Sequence, residues 1–190
     1  MSSKGSRAPG RVALASSILL AAAAANAAPL HLTGWDARAV DTARTGALKR
    51  LESEECRKLF TDFTDTKGRT LQQNLEEWTA SPAEYIGLVP FVDGSSQAFC
   101  RNGKTALVAS PGVRRVFVCR TFAEVQLRQP GVAESMVIHE ILHTLGLGEA
   151  PQKGAPTSIE ITQRVEARCR WCGYFRPSTR YSCWRICLYP

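Results

Sequence analysis

The sequence predicts a single α+β domain, and three observations lead to this fold class. The 190 residues are 44% hydrophobic, which is enough for one domain with its own core. Helical periodicity marks the first part of the body, and short β-rich runs follow it. An apolar segment of helical length comes next, so the order of elements predicts helices beside a small mixed or antiparallel sheet.

The formal charge of +7 lies at the two ends of the chain. Residues 1–27 contain three basic and no acidic residues, and residues 168–190 contain five arginines and no acidic residue. The body between them, residues 28–167, has 16 basic and 17 acidic residues and is close to neutral. Nucleic-acid binding depends on a basic surface, so no nucleic-acid partner is expected.

Residues 1–27 have the pattern of a secretory signal peptide. A basic stretch ending at Arg11 precedes an uncharged run over residues 12–25, and Ala25-Asn26-Ala27 fits the small-x-small cleavage pattern. A membrane anchor is the alternative, but the run is shorter than the roughly 20 apolar residues of a spanning helix. The sequence therefore predicts cleavage after Ala27 and a secreted or periplasmic protein with no transmembrane segment after cleavage.

The first elements of the mature chain are predicted to be helical. Residues 28–46 are mixed in character and are expected to form a loose N-terminal lead-in. Apolar residues recur at helical spacing among charges over residues 47–60, which predicts an amphipathic helix. Residues 65–68, Asp-Thr-Lys-Gly, predict a turn, and residues 71–79 predict a second short helix.

Three β-rich runs separated by glycine-containing turns predict the strands of the sheet: residues 85–92, 106–109 and 114–119. A break at Pro130-Gly131 precedes the next predicted helix, residues 132–145, which ends at Gly146. The last predicted helix is residues 157–169. It places four residues on one face: Ile159, Thr162, Val165 and Cys169.

The seven cysteines are interpreted as disulfide partners, because an exported protein meets an oxidising compartment. Cys100 and Cys119 flank a predicted hairpin and form the first expected pair, and Cys56 with Cys169 forms the second. Four cysteines near the C-terminus could instead form a thiolate zinc site, although the same compartment favours disulfides: Cys169, Cys172, Cys183 and Cys187. Because seven is odd, at least one cysteine is free or bonded to another chain.

The predicted helix over residues 132–145 carries the motif His139-Glu140-x-x-His143. Positions i and i+4 lie about 40° apart around a helix, so both imidazoles face one point and can hold one zinc ion. Glu140 lies beside that point and is placed to take a proton from a zinc-bound water. The alternative is a chance match of hydrogen-bonded histidines. Two of the chain's three histidines fall in this apolar segment, which favours the metal site.

Zinc in a hydrolytic site takes three protein ligands and one water, so a third ligand is needed. Gly146 can turn the chain back after the helix and bring Glu149 to the metal. Glu160 is the second candidate and Glu166 the third, although Glu160 is more simply a first-turn acid of the last helix. His31, the remaining histidine, lies near the predicted mature N-terminus and is not expected to bind the metal.

Residues 139–149 resemble the zincin metallopeptidases. The pattern His-Glu-x-x-His-x-x-Gly-x-x is closest to the metzincin branch, and residues 145–148 are similar to the segment after the second histidine in matrix-metalloproteinase-like enzymes. The resemblance implies a small zincin-like domain at residues 47–169 and a zinc-dependent endopeptidase with one zinc ion per chain. It also implies that His139 and His143 bind the zinc and that Glu140 is the general base.

Two features depart from the metzincin pattern. Glu149 stands where those enzymes have a third histidine. No methionine follows the motif, since the only methionines are Met1 and Met136, so the methionine-containing turn beneath the metal is missing. The resemblance therefore predicts a divergent zincin with an acidic third ligand.

A peptidase of this kind is expected to bind its peptide or protein substrate extended along a sheet edge, for which residues 114–119 are the predicted strand. Tyr85 or an arginine is a candidate for stabilising the oxyanion. Two other functions stay open: a non-catalytic module stabilised by zinc, and a binding protein that acts through residues 170–190. That basic, aromatic tail is either an attachment to an anionic surface or an extension outside the domain.

Overall fold

The computed structural model describes residues 32–170 and confirms the predicted α+β class. Its helices are α1 (Gly34–Leu51), α2 (Glu54–Arg57), α3 (Leu59–Asp62), α4 (Leu71–Glu76), α5 (Pro82–Leu88), α6 (Thr121–Arg128), α7 (Pro130–Thr144) and α8 (Ser158–Arg168). Its strands are β1 (Phe91–Asp93), β2 (Leu107–Ala109) and β3 (Val116–Val118).

The three strands form one mixed sheet in the order β1-β3-β2. β1 runs parallel to β3, and β2 runs antiparallel to it. Phe117 in the middle of β3 pairs with Val92 on one side and with Val108 on the other. The sheet is therefore mixed, which is one of the two predicted forms, and β1 and β2 are its edges.

Helix α7 occupies the centre of the core. It packs against α1, α6, α8 and β2. Ile138, Ile141 and Leu142 on α7 are fully buried, as is typical of a helix that is apolar around most of its circumference. Burying each of these side chains contributes roughly 1.5–3 kcal/mol to stability, so α7 is held firmly in place.

The prediction of a loose lead-in is wrong for residues 34–46, which form the larger part of α1. The residues of α1 that enter the core include Ala39, Val40, Ala43 and Ala47. A stripe of small residues lets two helices approach closely. Alanine is only weakly hydrophobic, so this stripe gives a faint helical pattern in the sequence before residue 47. The helix predicted over residues 47–60 is divided, because α1 ends at Leu51 and α2 and α3 follow it.

Residues 85–88 are helical, contrary to the predicted strand over residues 85–92. The hydroxyl of Ser81, the N-cap of α5, accepts a hydrogen bond from Glu84 N, and Pro82 lies in the first turn. These helix-start signals outweigh the β-rich composition. Of the predicted run, only Phe91 and Val92 enter the sheet, where they begin β1.

The remaining predicted elements are confirmed with small shifts at their ends. Residues 65–68 form a turn closed by a hydrogen bond from Gly68 N to Asp65 O, and α4, α7 and α8 lie where helices are predicted. The residues predicted to share one face of α8 differ in burial, because Val165 and Cys169 are buried and Ile159 is exposed. Ile161, outside that set, is also buried.

Both predicted cysteine pairs form disulfides. Cys56–Cys169 joins α2 to the residue after α8, with the two Cα atoms 4.4 Å apart. Cys100–Cys119 joins the loop after β1 to the residue after β3, with the two Cα atoms 5.2 Å apart. The other three cysteines, Cys172, Cys183 and Cys187, lie outside the described residues.

The predicted signal peptide, His31 and the tail from residue 171 onward also lie outside the described residues. What the sequence indicates about them stays a prediction. Within residues 32–170, the helices lack the combination of length and hydropathy that crossing a membrane requires.

Loss of the long-range disulfide should cost more stability than loss of the local one. Cys56–Cys169 spans 113 residues and Cys100–Cys119 spans 19, and opening a longer loop returns more entropy to the unfolded chain. We expect double Cys→Ser variants to lower the free energy of unfolding by about 4–5 kcal/mol for the long loop and about 3 kcal/mol for the short one. Urea unfolding without reductant measures both losses, and an equal or reversed order contradicts this prediction.

Candidate metal centre

Three side chains converge at the C-terminal part of α7, as the motif predicts. His139 and His143 point from one face of the helix, and Glu149 reaches them from the following loop. His139 Nε2 and His143 Nε2 are 3.1 Å apart, and Glu149 Oε2 lies 3.1 Å from His143 Nε2 and 3.8 Å from His139 Nε2. Both histidines are buried, whereas the side chain of Glu149 is 35% exposed. One side of the group therefore faces solvent.

The end of α7 explains how Glu149 returns to the helix. Gly146 has a φ of 108°, which L side chains rarely adopt. Gly146 N donates to His143 O, and Leu147 N donates to Leu142 O, which is the hydrogen-bond pattern of a Schellman motif. Leu142 and Leu147 are both buried and complete the motif with the apolar contact that often accompanies it.

The same turn orients the second histidine. The carbonyl of Leu147 lies 2.8 Å from His143 Nδ1. A carbonyl only accepts hydrogen bonds, so His143 Nδ1 carries a proton, and in the neutral ring Nε2 presents its lone pair. His139 Nδ1 has a different partner, the hydroxyl Oγ1 of Thr162 at 3.1 Å on α8. Both rings are thus fixed through Nδ1 with Nε2 directed at Glu149.

Three acceptor atoms at this distance need a hydrogen or a cation between them. The hydrogen can come from a neutral His139 with its proton on Nε2, in which case the Thr162 hydroxyl donates to Nδ1, or from a charged imidazole; a metal ion replaces either. Burial lowers the pKa of His139 to about 4, and the neighbouring His143 ring acts in the same direction. A charged His139 is therefore disfavoured at neutral pH, which leaves the neutral tautomer in a metal-free site and a metal ion in a filled one.

The separations also match the size of a zinc site. Tetrahedral ligands at 2.0–2.1 Å from zinc lie about 3.3 Å from one another. The three distances of 3.1, 3.1 and 3.8 Å bracket that value. Small side-chain rotations are therefore sufficient for His139, His143 and Glu149 to share one metal ion.

Glu140 lies beside this group and not within it. Ala109 N on β2 donates to Glu140 Oε2 over 2.6 Å, and this bond joins α7 to the sheet. Burial raises the pKa of Glu140 to about 8, the hydrogen bond from Ala109 opposes the rise, and the charge of Glu149 adds to it. A carboxyl group with a pKa near neutrality can both accept and return a proton.

Two residues outside the motif brace the turn after α7. Asn74 Nδ2 on α4 donates to Leu145 O over 2.8 Å and to Asp65 Oδ2 over 3.0 Å. Asp65 also forms an isolated β-bridge with Leu147. The sequence did not predict the role of Asp65 and Asn74. It indicated only a turn at residues 65–68, and the contacts of that turn with the end of α7 are tertiary.

The structure separates the other candidates from the metal centre. Glu160 is exposed and completes a capping box with Thr157 at the start of α8, and Glu166 is exposed on the same helix. Tyr85 is fully buried and donates its hydroxyl to Thr144 Oγ1, which excludes the predicted oxyanion role. The predicted substrate edge is also wrong, because β3 is the central strand.

Comparisons of the chain with protein-family models, curated proteins and solved structures find no match. The zincin resemblance therefore stays a prediction that rests on residues 139–149. The geometry adds one independent fact, namely that His139, His143 and Glu149 form a group able to hold a metal ion.

The turn at Gly146 provides a test with a matched control. A Cβ at Gly146 would lie 3.0 Å from the Cβ of Asp65, whereas one at Gly68, where φ is also positive, would meet nothing within 4 Å. We expect Gly68→Ala to lower the free energy of unfolding by about 1–2 kcal/mol and Gly146→Ala to lower it further. Thermal and urea unfolding measure both variants, and equal losses would show that the approach of Asp65 is unimportant.

The Asp65 brace predicts a pH dependence of stability. Burial alone would raise the pKa of Asp65, but hydrogen bonds from Asn74 and from the backbone of Arg69 and Lys67 lower it to about 2. Because the pKa of Asp65 is lower in the folded chain than in the unfolded chain, ionised Asp65 stabilises the fold at pH values above about 3.8. This stabilisation disappears as the pH falls towards 2.

We therefore expect Asp65→Asn to lose less stability than wild type between pH 5 and pH 2. Urea unfolding across that range is the measurement, with the surface variant Glu166→Gln as the control for removal of a carboxylate. Parallel wild-type and Asp65→Asn curves would contradict the prediction.

Proposed function

We propose that the protein is a secreted zinc-dependent peptidase that hydrolyses peptide bonds. The observation that carries this proposal is the convergence of His139, His143 and Glu149. Glu140 follows His139 in the chain and is near enough to Glu149 for the charge of Glu149 to raise its pKa. The donor set of two imidazoles and one carboxylate is one that catalytic zinc uses. Zinc held there would supply an activated water and would polarise the scissile carbonyl.

The number of ligands favours catalysis over a purely structural metal. Structural zinc sites are closed by four protein ligands, whereas catalytic sites keep one position for water or substrate. Among residues 32–170, three side chains form the group, and Glu149 leaves it partly open to solvent. This supports a catalytic centre over the non-catalytic zinc module.

Glu140 is the proposed general base. A cation beside it would favour the ionised carboxylate and so offset the rise in pKa that burial causes. The hydrogen bond from Ala109 holds one carboxylate oxygen, Oε2, against β2. Glu140 would take a proton from water and deliver it to the leaving amine of the substrate.

The substrate strand is proposed to lie along β2. Cys119 N donates to Ala106 O, and in an antiparallel ladder this bonding alternates, so the backbone groups of Leu107 and Ala109 point away from β3. Ala109 N uses that direction to reach Glu140. A peptide added to this edge would run past the general base.

Export is also part of the proposal. The two disulfides fit an oxidising compartment, and the predicted signal peptide would deliver the chain to one. The alternative of a binding protein concerns the tail, which lies outside the described residues. Support for the peptidase comes from the metal centre alone.

Metal analysis and two variants test the proposal. We expect one zinc ion per wild-type chain, loss of zinc in His143→Ala, and retention of zinc in Glu140→Gln. Removing the general base should lower the rate of hydrolysis of a labelled unfolded protein by about 10²–10⁴-fold, and a chelator should abolish it in wild type.

The outcomes separate the candidate functions. Wild type without stoichiometric zinc overturns the metal centre. Bound zinc with no hydrolysis, or with hydrolysis unaffected by Glu140→Gln, overturns the peptidase and leaves a zinc-stabilised module.

A further inference from the structure

Helix α8 contributes one polar contact to the metal centre, and the proposed hydrolysis of peptide bonds does not involve it. Thr162 Oγ1 lies 3.1 Å from His139 Nδ1. The neighbours of Thr162 on the helix, Ile161 and Val165, are buried in the core. The hydroxyl group is therefore carried by a packed element and not by a surface loop.

Metal binding by a histidine depends on the hydrogen bond that its other ring nitrogen makes. A histidine that binds a metal through Nε2 must carry its proton on Nδ1, and a hydrogen-bond acceptor there sets both the tautomer and the direction of the ring. His143 meets this need with a backbone carbonyl, that of Leu147. Among the hydrogen bonds of residues 32–170, Thr162 is the partner of His139 Nδ1.

Several anchors hold α8 against the rest of the domain. The disulfide Cys56–Cys169 ties its C-terminal end to α2. Arg50 Nη1 donates to Cys169 O over 2.8 Å, and Arg50 Nε donates over 2.6 Å to Glu134 on α7. The end of α8 and the helix that carries the histidines are thus joined through one guanidinium group.

We propose that Thr162 is a positioning residue that orients His139 for metal binding and thereby sets the zinc affinity of the site. This inference rests on the proposed metal centre. In the zinc-bound state, Nδ1–H of His139 donates to the Thr162 hydroxyl, and Nε2 presents its lone pair to the metal. Without the hydroxyl, the ring keeps its packing but loses the acceptor that selects this tautomer.

The test uses the full mature chain and compares three variants. Thr162→Val removes the acceptor while keeping the shape, and Thr162→Ser restores the acceptor. Thr45→Val is the matched control, because Thr45 is an exposed helical threonine whose hydroxyl donates to Asp41 O, far from the motif in sequence. Zinc dissociation constants come from competition with a chromophoric chelator, and the visible spectrum of the cobalt-substituted protein reports the ligand geometry.

We expect Thr162→Val to weaken zinc binding by about 10–100-fold and to change the cobalt spectrum. Thr162→Ser and Thr45→Val should bind zinc as wild type does. The metal-free Thr162→Val chain should stay folded and lose no more stability than the removal of one buried hydrogen bond explains, so that its zinc affinity is measured on the native fold.

Each other outcome overturns the proposal. Zinc binding by wild type with unchanged affinity in Thr162→Val removes the positioning role and leaves the metal centre intact. Equal weakening in Thr162→Ser, or a large loss of metal-free stability in Thr162→Val, assigns the threonine to packing. Failure of wild type to bind zinc removes the metal centre and this inference together.

Discussion

The structure depends on one constraint, the burial of two imidazole rings on an otherwise apolar helix. A buried polar group that lacks a hydrogen bond costs on the order of 1–3 kcal/mol, so each ring needs a partner. His139 finds Thr162 on α8, and His143 finds the carbonyl of Leu147 in the turn that follows α7. The two partners come from α8 and from the turn that leads to Glu149, so both segments meet the histidine face of α7.

The two carboxylates near the histidines differ in their surroundings, and this difference supports the roles proposed for them. Glu149 is partly open to solvent and lies within 3.1 Å of His143 Nε2, where an anionic ligand is useful. Glu140 is enclosed against the backbone of Ala109, and burial raises its pKa to about 8. A buried acid with a raised pKa near a second, partly exposed carboxylate is typical of sites where one group moves a proton and the other carries charge.

The parts of the site that were predictable from sequence are the local ones. The i, i+4 spacing of His139 and His143 and the glycine turn to Glu149 depend on helix geometry alone, and the structure brings these residues together. Thr162, Asp65 and Asn74 reach the site through tertiary contacts, which no periodic pattern encodes. Thr162 was predicted to share a helix face with Val165 and Cys169, and that pattern did not connect it with the histidines.

In the fold, too, the local elements were predictable from the sequence and the long-range contacts were not. Strand composition predicted the sheet, but the order β1-β3-β2 follows from long-range pairing that makes β3 central. The alanine stripe of α1 buries little apolar surface per residue, so its helix was not recognised from hydrophobic period. The cysteine pairs were predictable because the compartment and the hairpin limited the choices.

The disulfide Cys56–Cys169 has a consequence for what happens to the domain when a protease cuts its backbone. Its loop of 113 residues encloses α7, the sheet and the entire metal-binding group. The surface stretches 101–104 and 151–154 both lie inside that loop and are exposed to cutting. A single nick in either stretch leaves the two pieces joined through sulfur. The metal-binding group therefore stays linked to α1 after a cut at 101–104 and to α8 after a cut at 151–154.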